Sequence, residues 1–203
     1  SRSGTSRAYR IRSWRTLGRA LALAGARELS AQAFGRALDE SRAERSLVGT
    51  TMLHAIANAW VLGDPGSARR AWVRGQQDGA TEEDLVYGAG WIGFAANDLR
   101  RDDPTLQLLE SASSGSTWTS RLAAWRLGRM SDEELARQAS TEATKVEAEF
   151  YRAMSRKARD ESDDERLRAV ARSSMLDLME VQIARDLRAA PARLSLPKAY
   201  KLP

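Results

Sequence analysis

The sequence predicts an all-α chain of paired antiparallel helices, and three observations carry that expectation. Ala, Leu and Arg dominate while aromatic residues make up only 6%, a balance that favours helix over strand. Runs of alternating Val, Ile or Thr are missing, so no segment has the period of a half-buried strand. Apolar residues instead recur at helical spacing in short pieces separated by breaks at Gly25, Gly63 and Ser113–Ser116. At 203 residues the chain is long enough for one sizeable core or one stack of repeats.

Taken in order, residues 1–10 carry Ser, Arg and Gly without periodicity and are expected to form a flexible basic arm. Helices are expected at roughly 12–24 and 27–40, with Gly25 breaking the chain between them. Ser46–Leu62 places Val48, Met52, Ala55, Ile56, Ala59 and Trp60 at helical spacing with few charges, so most of that helix should be buried. GDPGS at Gly63–Ser67 is a helix stop followed by a helix start. Thr81–Asp84 caps a helix carrying Tyr87, Trp91 and Phe94, and Thr105–Ala112 is its short partner. Further helices follow at Trp118–Leu127, after Ser131 with Glu134 in a capping-box position, at Ala143–Ala158, at Asp163–Ser173 and at Met175–Leu187. Pro191, Pro197 and Pro203 forbid continuing the last helix. The expected organisation is one helical domain over residues 11–189 and an extended tail over 190–203, in which Leu194, Leu196, Tyr200 and Leu202 alternate with polar or small residues.

Trp14, Leu17, Gly18, Leu21, Phe34 and Ala37 resemble the tetratricopeptide pattern of a tryptophan-led helix and an alanine-and-aromatic partner. Leu21 stands where an aromatic is usual, Ser30 replaces the usual Ala and Arg42 the usual Pro. A shift of 38 residues lays Gly25 on Gly63, Ser30 on Ala68, Phe34 on Trp72, Ala37 on Gly75 and Trp14 on Met52. That period exceeds the usual 34 by about one helical turn. The resemblance implies an irregular tetratricopeptide-like superhelix of about five antiparallel helix pairs plus a C-terminal capping helix.

A second resemblance lies in the C-terminal half. Trp118, Gly128, Ser131–Leu135, Glu147–Tyr151 and Glu180–Leu187 occur in an order similar to that of the NlpI-type tetratricopeptide lipoproteins of bacterial envelopes. It implies scaffolding between envelope proteins, in the periplasm or at the outer membrane, with the cytoplasm as the alternative. Because the chain starts at Ser1 without Met, an upstream segment is expected to have been removed and any targeting signal with it; a lipidated residue in that segment would tether the protein.

Charge and residue inventory narrow the chemistry. Without Cys and with His54 as the one histidine, thiolate metal sites and multi-histidine sites are excluded within one chain. Neither metal nor cofactor is expected. Net charge is +5, but residues 1–27 hold seven Arg and no acid, leaving the remainder at −2. Such a segment attracts anionic lipid, nucleic acid or an acidic protein, or is a solvated face.

Gly88, Gly90 and Gly93 spell the dinucleotide fingerprint, but no strand precedes them and Tyr87, Trp91 and Phe94 accompany them at helical spacing, so close helix packing is the expected role. His54 sits on the most apolar helix and is expected to be structural. The acids that precede Ser, at Glu40, Glu110 and Glu161, invite comparison with glycosidase acids but lack supporting neighbours. Acidic groups at Glu82–Asp84, Asp132–Glu134 and Asp163–Glu165 fit helix starts.

The strongest candidate surface is the inner face of the stack. Its lining is expected to be Arg12, Arg15, Arg19 and Leu23 from the first repeat, with Leu53 and Trp60 from the second. Guanidinium groups suit carboxylates, so a groove basic at one end and apolar at the other should hold an extended or helical protein segment with an acidic end. The expected function is a non-enzymatic adaptor without a small-molecule substrate. Its rivals are a pilotin-like assembly factor for an outer-membrane secretin or motility machine, a cell-wall glycan-acting enzyme, and a nucleic-acid binder using the Arg-rich N-terminus.

Overall fold

The computed structural model describes residues 2–96, 103–158 and 164–189. Among these residues all regular structure is helical. The α-helices are α1 (Arg2–Leu23), α2 (Arg27–Ser41), α3 (Val48–Val61), α4 (Pro65–Asp78), α5 (Glu82–Ala96) and α6 (Pro104–Ala112). They continue with α7 (Trp118–Arg126), α8 (Asp132–Gln138), α9 (Glu142–Ala158), α10 (Asp164–Ala171) and α11 (Met179–Ala189). A 3-10 turn at Arg45–Leu47 leads into α3.

Helix ends follow local chemistry. Asp64 accepts from the Ser67 backbone N–H at 3.0 Å, and Pro65 opens α4 where its missing N–H costs nothing. Ser131 accepts from Glu134 N–H at 3.1 Å and starts α8 as its spacing predicts. Gly25 and Gly63, 38 positions apart, both adopt positive φ (75° and 65°). Each closes its helix in one pattern: Ala26 N–H reaches Leu21 O and Asp64 N–H reaches Ala59 O, both across six residues.

The described residues divide into two compact units, one over residues 2–95 with Ala189 and one over residues 96–188. A single domain over 11–189 was the expectation; the division falls at the end of α5, where no Pro- or Gly-rich linker marks it. In the first unit α1 packs along α2, α3 along α4, and α3 against both α1 and α2. In the second, α6 packs on α7, and α9 on α8 and α10.

The first hairpin closes as its residues predict. A Cβ on Gly18 would lie 2.7 Å from Phe34 Cε2, so the ring occupies the space that glycine leaves. Ser30, in place of alanine, donates its buried hydroxyl to Gly18 O at 2.9 Å. The second hairpin makes the same close approach with the roles exchanged: the small residue is Gly75 on α4, and Met52 of α3 presses onto it. Trp72 turns onward to α5, where its indole N–H donates to Leu85 O at 2.9 Å and its ring meets Gly88.

Helix α1 starts at Arg2, so the segment expected as a flexible arm is helical. Its Arg10 is held by two bonds to Glu40 of α2, at 3.2 and 2.8 Å, and Ile11 is fully buried, which offsets the weak helix preference of Ser and Gly. The expected tail over 190–203 lies outside the described residues.

Candidate functional site

Two surfaces of the first unit and one buried cluster of the second gather the polar chemistry. The first surface lies where α1 meets α3. Arg12, Arg15 and Arg19 recur at three- and four-residue spacing and so share one side of α1. Arg12 is exposed, while Arg15 and Arg19 are half-buried. Burial, then the neighbouring Arg12, lowers the Arg15 pKa to about 10. Among the described residues no hydrogen bond or ion pair reaches Arg15. His54 of α3 stands in the field of Arg15 and Arg19; burial first, and those two cations next, push its pKa down to about 3. The imidazole is therefore neutral at pH 7.

The apolar residues expected beside these cations are placed differently. Leu53 and Trp60 are each only 8% exposed, and the Trp60 indole stacks on Phe94 of α5 at 5.8 Å. Both belong to the interior, and α5 supplies the aromatic ring that covers Trp60. Leu23 remains half-buried at the end of α1. The residues expected as one groove thus separate into a basic side on α1 and an internal aromatic stack.

The second surface was not anticipated. A trough of about 320 Å3 runs between α2 and α4 above α3. Phe34, Leu38, Ala55, Ala59, Leu62 and Ala71 supply its apolar surface. Arg27, Asp64, Arg70 and Arg74 stand around it. The sequence signal that could have found it is small residues at positions facing a neighbouring hairpin: Ala31, Gly35, Ala55 and Ala59 leave the space empty. A Cβ on Gly35 would meet nothing within 4 Å.

In the second unit Glu147 and Glu180 are buried, 6% and 3% exposed. Trp118 donates its indole N–H to Glu147 at 2.6 Å, and Tyr151 donates its hydroxyl to Glu180 at 3.1 Å. Burial, then the nearby Glu147 charge, raises the Glu180 pKa to about 8, against the bond from Tyr151 that favours the anion. A proton held at neutral pH is what a general acid needs, but this carboxyl is enclosed by its own core.

The remaining sequence candidates have structural settings. Glu40 is pinned by Arg10, whose hydrogen bonds and charge hold its pKa below the usual range, the reverse of an acid catalyst. Glu110 is exposed on α6, and Glu161 lies outside the described residues. Gly88 sits inside α5, where its missing side chain admits Ile56 and Trp72; a Cβ at Gly90 would touch nothing within 4 Å. Glu82, Glu83 and Asp84 occupy the first turn of α5, Asp132–Glu134 that of α8, and Asp164 and Glu165 that of α10. Carboxylates there complement the helix dipole; Asp163 lies outside the described residues.

Among the described residues no helix is long and apolar enough to cross a membrane. No family model, curated protein or solved structure matches this chain.

Proposed function

We propose that the protein is a non-enzymatic adaptor whose α1 face holds an acidic segment of a partner protein. The observation that carries this reading is Arg15, a half-buried guanidinium beside Arg12 and Arg19 that no carboxylate of the described chain engages. Partial burial weakens screening by water, so a carboxylate arriving from outside gains more there than at a fully exposed arginine. A neutral His54 beside the pair adds a donor and no further cation.

In this reading α1 to α5 are successive tetratricopeptide-like elements, continued irregularly to about five helix pairs and a capping helix. Support comes from the glycine bends repeated at 38 residues and from the Gly18–Phe34 and Met52–Gly75 contacts. The order of elements similar to NlpI-type lipoproteins favours a bacterial envelope as the setting. Binding through the Arg-rich N-terminus to nucleic acid is the weaker alternative, because Glu40 engages Arg10 and lies 3.9 Å from Arg7.

Fluorescence anisotropy with a labelled peptide ending in consecutive Glu and Asp residues tests the reading. Replacing Arg12, Arg15 and Arg19 together by Ala should weaken binding at least tenfold, as should replacing the peptide acids by Gln and Asn. Equal affinity for the triple variant and the native chain would refute the assignment.

A further inference from the structure

The trough between α2 and α4 has dimensions and charges of its own. Its α2 wall extends from Arg27 to Leu38, which at 1.5 Å per residue is about 16 Å of helix. A volume of about 320 Å3 drawn out along that wall suits one extended alkyl chain. Phe34, Leu38, Ala55, Ala59 and Ala71 offer such a chain an apolar bed.

The two ends differ electrically. At the Leu38 end Arg74 is engaged by both Asp39 and Asp78, so its charge is cancelled. At the opposite end Arg27 and Arg70 both face the single carboxylate of Asp64, leaving one positive charge in excess. Arg27 spends one nitrogen on Leu62 O, at 2.9 Å, and Arg70 one on Ser67 Oγ, at 2.7 Å. A guanidinium carries five N–H donors, so both arginines retain donors for an oxyanion.

The geometry points to a binding site for a single-chain amphiphile with a carboxylate head: its alkyl chain lies along the trough and its head at Arg27 and Arg70. Such a ligand matches the length of the trough, its lining and the sign of charge at one end only. The site is separate from the α1 face and stands or falls without it.

Titration calorimetry of the full chain with decanoate below its micelle concentration tests the assignment. Saturable one-to-one binding is expected, with decan-1-ol weaker and decyltrimethylammonium weaker still. Gly35→Leu should fill the channel and cost at least tenfold in decanoate affinity. It should not impair folding, because open space surrounds a Cβ there and leucine is the better helix former. Ala31→Leu, at an exposed position on the same wall, is a second block that leaves the core untouched. Arg70→Ala should weaken decanoate several-fold and leave decan-1-ol unchanged. Absence of saturable binding would overturn the assignment, as would native affinity in both leucine variants. Binding to anionic phospholipid vesicles without binding to free decanoate would overturn it too, since the bilayer surface would then be the ligand.

Discussion

Replacing Glu180 by Gln should alter the pH dependence of folding in a calculable way. Burial and the charge of Glu147 hold the Glu180 carboxyl protonated up to about pH 8, whereas an unfolded Glu releases its proton near 4.3. Between those values the folded chain keeps a proton that the unfolded chain gives up. Stability therefore falls as pH rises through that window, by at most about 1.4 kcal/mol per pH unit. Over the whole window the loss is of the order of a few kcal/mol, shared with Glu147 because the two carboxyls repel.

Glutamine preserves an oxygen to accept the Tyr151 hydroxyl bond, now 3.1 Å, and cannot ionise. The assay is urea unfolding followed by helical circular dichroism from pH 4 to 9, for the native chain and the Glu180→Gln variant. The stability of the variant minus that of the native chain should be flat near pH 4, climb between about 4.5 and 8 and level off above. Titrating groups that do not interact with Glu180 cancel in that difference, and the altered titration of Glu147 is part of the signal. A difference that does not change with pH between 5 and 8 would show that Glu180 is ionised in the folded chain, refuting the buried-pair reasoning.

Two more outcomes follow from the first unit. Gly18→Ala should destabilise by about 1 to 3 kcal/mol, because its methyl meets the buried Phe34 ring, whereas Gly35→Ala, with nothing within 4 Å, should stabilise by up to about 1 kcal/mol; thermal melts should separate the pair in opposite directions. Removing the Arg15 charge by Arg15→Met should raise the His54 pKa from about 3, without reaching the ordinary histidine value because burial persists, as read by proton NMR of the imidazole. In the native chain a depressed His54 pKa means stability lost as pH falls from about 6.5 toward 3, the opposite sense to Glu180.

Much of the chain's local organisation is legible in its residues. Asp64, Ser131, Gly25 and Gly63 mark helix ends through bonds to backbone groups three to five residues away. The Gly18–Phe34 contact is legible for a related reason: a tight bend brings two short helices face to face, so spacing along the chain becomes spacing across the hairpin. Gly88 reads correctly as a packing residue once no strand precedes it. The basic side of α1 was readable from helical spacing, but the fate of its expected apolar neighbours was not. Trp60 has the pattern of a groove residue until Phe94, on α5, covers it.

The sequence by itself determined that the chain is helical, where most helices stop, and which small residue admits which large one inside the first hairpin. Those outcomes depend on hydrogen bonds and contacts between positions close along the chain. Only the tertiary structure decided that Tyr151 and Glu180, 29 positions apart, share a core, and that residues of three helices leave an apolar trough. It also decided that Arg15 is half-buried beside His54. Burial, cavity shape and electrostatic coupling depend on which helices meet and at what separation, and side-chain periodicity within one helix does not encode that.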